Sequence, residues 1–216
     1  MASSAGGTGV FIVVEGPEGA GKSSLARWLA ARLLAEGRAV VTVREPGGTP
    51  VAEAARKIAL KSPHELSPAA ELFLFLTARA DLVARVIRPA LDGGEVVLAD
   101  RFVLSTLAYQ VAGRGLPRGP VEAALDLATG GLTADLTLVL DVPVAVGRDR
   151  QEKGGKTGDR IERADDAFHE RVRGAYLEAR GAGIVHLDAT QPRKAVQEAA
   201  WREVTAVTAL SLRGVS

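Results

Sequence analysis

The sequence predicts an α/β fold in which a five-stranded parallel sheet carries helices on both faces. Short apolar runs rich in β-branched residues alternate with longer segments of helical spacing, and no hairpin turn joins consecutive strands. The 216 residues suffice for one sizeable core and are few for two. We therefore expect a three-layer sandwich in a single domain over residues 10–210, after a disordered tail over residues 1–9.

The predicted strands share a short apolar pattern and occupy residues 10–14, 39–43, 95–99, 136–140 and 184–187. The second of them, like the first, is expected to be buried. Helical spacing marks residues 51–60, a long helix over 68–91, residues 105–112 and 120–128, a helix opening at Pro143, one ending at 179 and one over 192–210. Loops that follow the strands meet at one sheet edge, where open α/β sheets bind ligands.

The first strand runs into a segment, Gly16-Pro-Glu-Gly-Ala-Gly-Lys-Ser23, that matches the phosphate-loop pattern at every fixed position. A helix follows, because Leu25, Leu29 and Leu33 recur on one face. Glycines let backbone N–H groups turn toward an anion, and the helix N-terminus adds partial positive charge. The pattern thus predicts a P-loop fold that binds the phosphates of a nucleotide, which the resemblance given below identifies as ATP. The expected ATP-binding residues are Gly16, Pro17, Glu18, Gly19, Ala20, Gly21, Lys22, Ser23 and Ser24.

Hard oxygen ligands for Mg²⁺ are expected beside this loop. The Ser23 hydroxyl is the usual phosphate-loop ligand, and Asp100 ends the third strand at the same sheet edge. Because Mg²⁺ tends to keep several waters, Asp100 is expected to act through water. We predict Mg²⁺, with ATP, as the cofactor.

Composition excludes several classes of function. The 27 Lys and Arg against 26 Asp and Glu leave a net charge of +1, and aromatic residues make up 4% of the chain, so no groove for nucleic acid is expected. Cysteine is absent, which excludes disulfides and thiolate metal sites. No apolar run approaches about 18 residues and no signal peptide is apparent, so we expect a cytoplasmic protein without a membrane partner.

A phosphate loop alone is compatible with kinases, GTPases, motors and ATPases. The chain lacks the Asn-Lys-x-Asp motif that reads guanine, and it lacks an apolar run ending in Asp-Glu. A basic, glycine-containing segment without periodicity spans residues 147–160 and predicts a mobile lid, within about 147–163. These features favour phosphoryl transfer between small molecules.

Five motifs in one order resemble thymidylate kinase of the bacterial type. They are residues 11–23, Arg44-Glu-Pro-Gly-Gly-Thr49, Leu72-Phe-Leu-Phe-Leu-Thr-Ala-Arg79, the block from Asp100 to Gln110, and Asp159-Arg-Ile-Glu162. The second and fourth are far more specific than the phosphate loop. The resemblance implies transfer of the ATP γ-phosphoryl group to dTMP, giving ADP and dTDP for dTTP biosynthesis, and it suggests a homodimer.

The resemblance also implies roles for individual residues. Phe75 would stack on thymine, and Arg79, one helical turn later, would hydrogen-bond the base. Without the motif, a core aromatic residue and an ion-paired arginine would be the ordinary interpretations. The implied dTMP-binding residues are Glu18, Glu45, Pro46, Arg56, Phe75, Arg79, Arg101, Ser105, Thr106, Tyr109 and Gln110.

Catalytic roles are implied for Lys22 and Arg101 and for a cation of the lid. Relatives with glycine at the Gly19 position usually place a lid arginine on the transferred phosphate. We predict Arg160 for this role and Arg150 second.

Three other interpretations stay open at this stage. Another nucleoside or nucleoside-monophosphate kinase of the same fold shares the phosphate chemistry and differs in few base contacts. A regulatory protein that binds nucleotide without turnover would keep the phosphate loop, although Lys22, Ser23, Asp100 and Arg101 argue against it. A nucleotide-dependent nucleic-acid binder is disfavoured by the near-neutral charge and the few aromatic residues.

Overall fold

The computed structural model describes residues 9–155 and 158–213, with side chains through residue 209. Its strands are β1 (Val10–Glu15), β2 (Val40–Arg44), β3 (Val96–Asp100), β4 (Leu136–Asp141) and β5 (Ile184–Asp188). They form one sheet in the order β2-β3-β1-β4-β5, and every neighbouring pair is parallel. The predicted fold class is thereby confirmed.

Helices connect successive strands, as parallel pairing requires. The α-helices are α1 (Lys22–Ala35), α2 (Pro50–Lys61), α3 (Pro68–Leu82), α4 (Arg88–Asp92), α5 (Val103–Thr106), α6 (Arg118–Thr129), α7 (Val144–Lys153), α8 (Asp166–Glu178) and α9 (Arg193–Arg213). Two π-helical turns interrupt the series, Val83–Ile87 between α3 and α4 and Leu107–Gly113 after α5. The predicted long helix is therefore present, with a wider turn near its end.

The two faces of the sheet bury different helices because side chains alternate along each strand. Ile12 and Val14 of β1 pack in a cluster with α1 and α9. Phe11 and Val13 point the other way and pack with Leu82 and its neighbours at the end of α3. On that second face the π-helical turn Leu107–Gly113 and α8 complete the layer through a further apolar cluster.

The register of the sheet brings the functional loops to one level. Asp100 at the end of β3 lies opposite both Val14 of β1 and Arg44 of β2. The phosphate loop, the segment after Arg44 and the segment after Asp100 therefore leave the same carboxyl edge side by side. This is the edge that the sequence predicted.

Three details differ from the sequence predictions. The second strand is at the edge of the sheet and is only half-buried, because a single neighbour covers it. The segment from Gly147 was predicted to be aperiodic, but α7 continues to Lys153, where Lys153 pairs with Asp149 one turn earlier. Gly9, assigned to the disordered tail, donates a hydrogen bond to the Leu91 carbonyl at 3.1 Å.

The rest of the predicted tail, residues 1–8, and residues 156–157 of the predicted lid lie outside the described residues. Within the described ranges, none of the helices combines the length and the apolar character needed to cross a bilayer.

Candidate active site

A cleft of about 610 Å³ opens at the carboxyl edge of the sheet. It collects side chains that the sequence assigned to two nucleotide sites. The predicted residues that line it are Glu18, Gly19, Gly21, Lys22, Ser23, Ser24, Glu45, Pro46, Arg56, Phe75, Arg79, Asp100, Arg101, Ser105, Thr106, Tyr109, Gln110 and Arg150. Of the remaining predicted residues, Gly16, Pro17 and Ala20 belong to the phosphate loop but do not line the cleft. Arg160 does not line the cleft either.

The phosphate loop takes backbone angles that favour glycine. Gly16, Gly19 and Gly21 all have positive φ, and a Cβ on Gly16 would lie 2.3 Å from the Leu140 carbonyl oxygen. The loop leads directly into α1, whose first residue is Lys22. The first N–H groups of a helix lack intrahelical acceptors, so this N-terminus, whose residues Lys22 and Ser23 line the cleft, forms a natural anion site.

Lys22 is nearly buried and donates from Nζ to the Pro17 carbonyl at 2.7 Å. Burial, together with the neighbouring Arg101 guanidinium, lowers the pKa of Lys22 from 10.5 to about 8. The nearby carboxylates therefore offset the burial of this ammonium only in part. A bound polyphosphate would add negative charge beside it.

Ser23 and Asp100 meet where β1 and β3 end. The Ser23 hydroxyl donates to Asp100 Oδ2 at 2.5 Å. An alcohol and a carboxylate at this distance are hard oxygen donors beside an anion site, and that donor set fits Mg²⁺. The sequence prediction that these two residues share one cation site is consistent with their contact.

Arg101 is held on several sides at the mouth of the phosphate loop. Its Nη2 donates to Glu18 Oε1 at 2.5 Å, and Nη1 donates to the Ser105 hydroxyl at 3.1 Å. Nη1 also lies 3.3 Å from the Tyr176 hydroxyl, and Nη2 lies 3.3 Å from the Tyr109 hydroxyl. Arg101 has a φ of 78°, an unusual value for a residue with a Cβ, and this backbone turn aims the side chain toward the loop.

Glu18 lies within the phosphate loop, where an anion opposes phosphate binding. Burial would raise its pKa, but Arg101 and then Lys22 outweigh burial and lower the pKa from 4.5 to about 2. Tyr109 also donates to this carboxylate at 2.9 Å. Glu18 is therefore ionised at neutral pH and acts here as an anchor for Arg101.

Glu15, which was not among the residues predicted from the sequence, supports the segment after β3 that carries Arg101. Its carboxylate is fully buried at the end of β1 and accepts from the backbone N–H groups of Phe102 and Ser105 at 2.8 and 3.0 Å. It also accepts from the hydroxyls of Ser105 and Tyr176 at 2.6 and 3.0 Å. A carboxylate closing an apolar strand just before the phosphate loop was the signal available in the sequence.

Arg79 lies on the far wall of the cleft and is almost fully buried. It donates to Glu45 Oε2 at 2.7 Å, to the Thr106 hydroxyl at 2.8 Å and to the Phe102 carbonyl at 2.8 Å. Burial raises the pKa of Glu45 in spite of the Arg79 guanidinium. Oε1 of Glu45 has no hydrogen-bond partner among the described residues, so this wall keeps an acceptor for a ligand or water.

Phe75 precedes Arg79 by one turn of α3 and is half-buried in the same cleft. Glu71 lies one turn earlier again and is fully buried. The i, i+4, i+8 spacing of Glu71, Phe75 and Arg79 places them along one helical face. Glu71 was missed in the sequence reasoning, although this spacing was available as a signal.

Gln110 lies on the π-helical turn Leu107–Gly113, and its side chain is hydrogen-bonded to Glu71. Its Nε2 donates to Glu71 Oε1 at 2.9 Å. Arg114 also binds Glu71, with distances of 3.2 Å from Nε to Oε1 and 3.1 Å from Nη2 to Oε2. The wide turn brings Tyr109 and Gln110 to the cleft together, since both line it.

Two more arginines stand at the mouth of the cleft, Arg56 and Arg44. Arg56 donates to the Pro46 carbonyl at 2.8 Å, which holds it over the loop after β2. Burial and the nearby Arg44 lower the pKa of Arg56. With Arg101, these guanidinium groups form a positively charged end of the cleft that suits a phosphate monoester.

The two predicted lid cations have different positions. Arg150 lines the cleft and donates to the Ala189 carbonyl at 2.9 Å. Arg160 faces away and donates to Glu71 Oε2 at 2.5 Å and to the Ala59 carbonyl at 3.0 Å. In this arrangement Arg160 is not brought to the phosphate loop.

Comparison with known proteins adds to this geometry. A family profile described as thymidylate kinase matches residues 14–200. A thymidylate kinase of Deinococcus radiodurans is 44% identical over 200 residues, which is 91% of this chain and 97% of that protein. Thymidylate kinases of Pseudomonas fluorescens strain Pf-5 and Thermomicrobium roseum are 50% and 46% identical over 196 and 200 residues, 88% and 91% of this chain and 92% and 95% of theirs. The chain therefore belongs to the thymidylate kinase family.

Proposed function

We propose that this protein transfers the γ-phosphoryl group of ATP to dTMP, forming ADP and dTDP on the route to dTTP. The observation that carries the proposal is that one cleft holds two anion sites with an aromatic pocket behind the second. Lys22, where the phosphate loop meets α1, and Arg101, directly after β3, both line this cleft. A kinase that joins two nucleotides through their phosphates needs this arrangement.

The donor nucleotide binds through the phosphate loop. Backbone N–H groups at the start of α1 receive the β- and γ-phosphates, and Lys22 contacts them as a point charge. Ser23 directly and Asp100 through water would hold Mg²⁺, which would neutralise charge on the phosphate oxygens. Arg150, at the rim, extends the positive surface along the donor side.

The acceptor nucleotide lies in the opposite half of the cleft. Arg101 and Arg56 bind its phosphate, since a guanidinium fork matches two phosphate oxygens. Phe75 offers a ring face to the base, and Arg79 with its neighbours forms the polar wall around it. The residues of that wall are Glu45, Ser105, Thr106, Tyr109 and Gln110.

Catalysis in this proposal depends on position and charge. The acceptor is already an anion, so its attacking oxygen needs no strong base. Two mutually repelling phosphates are held in line, while Lys22 and Arg101 stabilise the charge that spreads over the transferred group. Closure of the segment over residues 147–163 would exclude water and bring a further cation to the phosphates. For Arg160 to serve as that cation, it would have to leave Glu71.

A homodimer is part of the proposal. Val51 and Ile58 on α2 and Phe73 on α3 are large apolar side chains that are 46%, 50% and 62% exposed. The two helices pack against each other, so a second copy of this chain is the partner that we propose for this surface. Light scattering on the purified protein should give twice the chain mass, and Phe73→Glu should return it toward the monomer mass. A cytoplasmic location would give the enzyme access to its proposed substrates.

The test of the function is ADP release from ATP and Mg²⁺ with dTMP, dUMP, dCMP, dGMP, AMP or thymidine as acceptor. We expect ADP release to be much faster with dTMP than with the other acceptors, and we expect this preference to be lost in Lys22→Ala. Preference for another monophosphate would overturn the assignment of Phe75 and Arg79 to thymine while leaving the phosphate chemistry in place. Tight ATP binding without turnover on any acceptor would favour a regulatory protein instead.

A further inference from the structure

We propose that Glu71 is a positioning residue that fixes the orientation of the Gln110 amide, and that this orientation selects acceptor bases with an N–H donor at the pairing edge. The inference rests on the proposed function and specifies how the same site discriminates among pyrimidines. Glu71 itself touches no substrate in this proposal. It acts through Gln110, which lines the cleft.

The contact between the two side chains is buried and directional. Glu71 is 1% exposed, and its Oε1 lies 2.9 Å from Nε2 of Gln110. The carboxylate accepts from three further N–H groups of Arg114 and Arg160. Burial would raise the pKa of Glu71, but the donors from Arg114 and Gln110 outweigh burial and lower it. Glu71 is therefore ionised and has no proton to donate.

An acceptor-only partner determines which end of an amide it faces. If Gln110 were turned around, its carbonyl oxygen would oppose the Glu71 carboxylate, so the NH₂ group must point toward Glu71. The other end of the amide, Oε1, has no hydrogen-bond partner among the residues that the structure describes. Because Gln110 lines the cleft, this free acceptor is available to a bound base.

The chemistry of pyrimidines makes this orientation selective. Thymine and uracil carry an N3–H donor between two carbonyl groups, whereas N3 of neutral cytosine is an acceptor. An inward Gln110 Oε1 accepts a hydrogen bond from N3–H and opposes the lone pair of cytosine N3. A site whose buried polar group is left unpaired by the wrong ligand discriminates strongly against it.

Glu71→Gln should reverse the orientation through a definite route. The Oε2 position receives Nη2 donors from Arg114 and Arg160 at 3.1 and 2.5 Å, whereas the Oε1 position receives one arginine donor, Arg114 Nε at 3.2 Å, so a carbonyl oxygen is favoured at Oε2. An introduced glutamine would place its carbonyl oxygen there and its NH₂ group toward Gln110. Gln110 would then turn its own oxygen to residue 71 and its NH₂ group to the cleft, which suits cytosine N3.

The experiment measures kcat/KM for dTMP, dUMP and dCMP in the wild-type enzyme, Glu71→Gln and Arg114→Gln. Arg114→Gln is the matched control, because it removes another partner of the same carboxylate but leaves the bond to Gln110. In Glu71→Gln we expect the preference for dTMP over dCMP to fall at least tenfold, while the preference for dTMP over dUMP stays constant. The control should keep both ratios.

Two further variants separate positioning from general damage. Glu71→Asp keeps the charge and withdraws the carboxylate by about one bond, so a smaller loss of the same ratio is expected even if Glu71→Gln does not fold. In a Gln110→Ala background the ratio should already be low, and adding Glu71→Gln or Glu71→Asp should not change it further.

The proposal is overturned if folded Glu71 variants keep the wild-type ratio of dTMP to dCMP, or if Arg114→Gln lowers that ratio equally. It is also overturned if the Glu71 substitutions lower the ratio of dTMP to dCMP by the same factor in the Gln110→Ala background as in the wild-type enzyme. A wild-type enzyme that does not prefer dTMP over dCMP would instead contradict the proposed function.

Discussion

Glu18 Oε1 and Arg101 Nη2 lie 2.5 Å apart and join the phosphate loop to the loop after β3. The two side chains are only 21% and 15% exposed, so water screens the pair weakly. A carboxylate within a phosphate-binding loop opposes phosphate binding, but it balances the charge of Arg101. The pair therefore holds the guanidinium in place before an acceptor phosphate arrives.

Replacing Glu18 should lower the stability of the protein without nucleotide and increase its stabilisation by dTMP. Glu18→Gln leaves the Arg101 charge uncompensated, and we expect the free energy of unfolding without nucleotide to fall by about 1–3 kcal/mol. A bound phosphate would supply the lost charge, so dTMP should stabilise the variant more than it stabilises the wild type. Denaturant unfolding with and without dTMP measures both effects.

The control for this prediction is Glu122→Gln, which breaks the exposed i, i+4 pair with Arg118 and should change stability by less than about 0.5 kcal/mol. The pH dependence gives a second check. Since the pKa of Glu18 is lowered from 4.5 to about 2, its contribution is complete above about pH 4.5 and is lost as the pH falls toward 2. A destabilisation that persists unchanged at low pH would contradict the charge argument.

Removing the Ser23 hydroxyl should raise the requirement for magnesium. In Ser23→Ala, Asp100 loses the donor at 2.5 Å and the proposed cation loses one oxygen ligand. We expect the Mg²⁺ concentration for half-maximal activity to rise at least tenfold at saturating ATP and dTMP. Ser24→Ala is the neighbouring control and should change it by less than threefold. Equal shifts in the two variants would remove Ser23 from the cation site.

ATP affinity should weaken as the pH rises through about 8. Burial and Arg101 lower the pKa of Lys22 to about 8, so the ammonium is present below that pH and is lost above it. Isothermal titration between pH 7 and 9.5 should show affinity falling with increasing pH in the wild type. Lys22→Arg stays charged over this range, and a similar fall in that variant would assign the pH dependence to another group.

Close packing of the phosphate loop against α7 should make Gly147 intolerant of a side chain. A Cβ there would lie 2.4 Å from the Glu18 carbonyl oxygen, which is backbone and cannot move alone. We expect Gly147→Ala to lower the free energy of unfolding by about 1–3 kcal/mol and to raise the KM for ATP.

Gly174 in α8 offers a matched helical control, since a Cβ there meets nothing within 4 Å. Gly174→Ala should stabilise the protein by about 0.5–1 kcal/mol without changing the KM for ATP. If Gly147→Ala behaved like this control, the contact between loop and helix would be unimportant for nucleotide binding.

Local patterns in the sequence predicted the sheet and the phosphate loop well. Val10–Glu15, the glycines after it and the spacing of Leu25, Leu29 and Leu33 lie close together in the chain, so each constrains the conformation of the next. The exposure of β2 was not predictable in this way. Its burial depends on the order of strands in the sheet, which is decided by packing between distant segments.

The residues at the carboxyl ends of the strands could be identified from local patterns, because alternation of strands and helices brings all the loops after the strands to one edge. Lys22, Asp100 and Arg101 were found for that reason. The buried polar partners around the cleft depend instead on contacts between segments that are distant in the chain. Glu71 joins Gln110 and Arg114 from the segment around the second π-helical turn and Arg160 from the segment after α7. Periodicity assigns a side chain to a face but carries no information about the polar group across the core that will satisfy it.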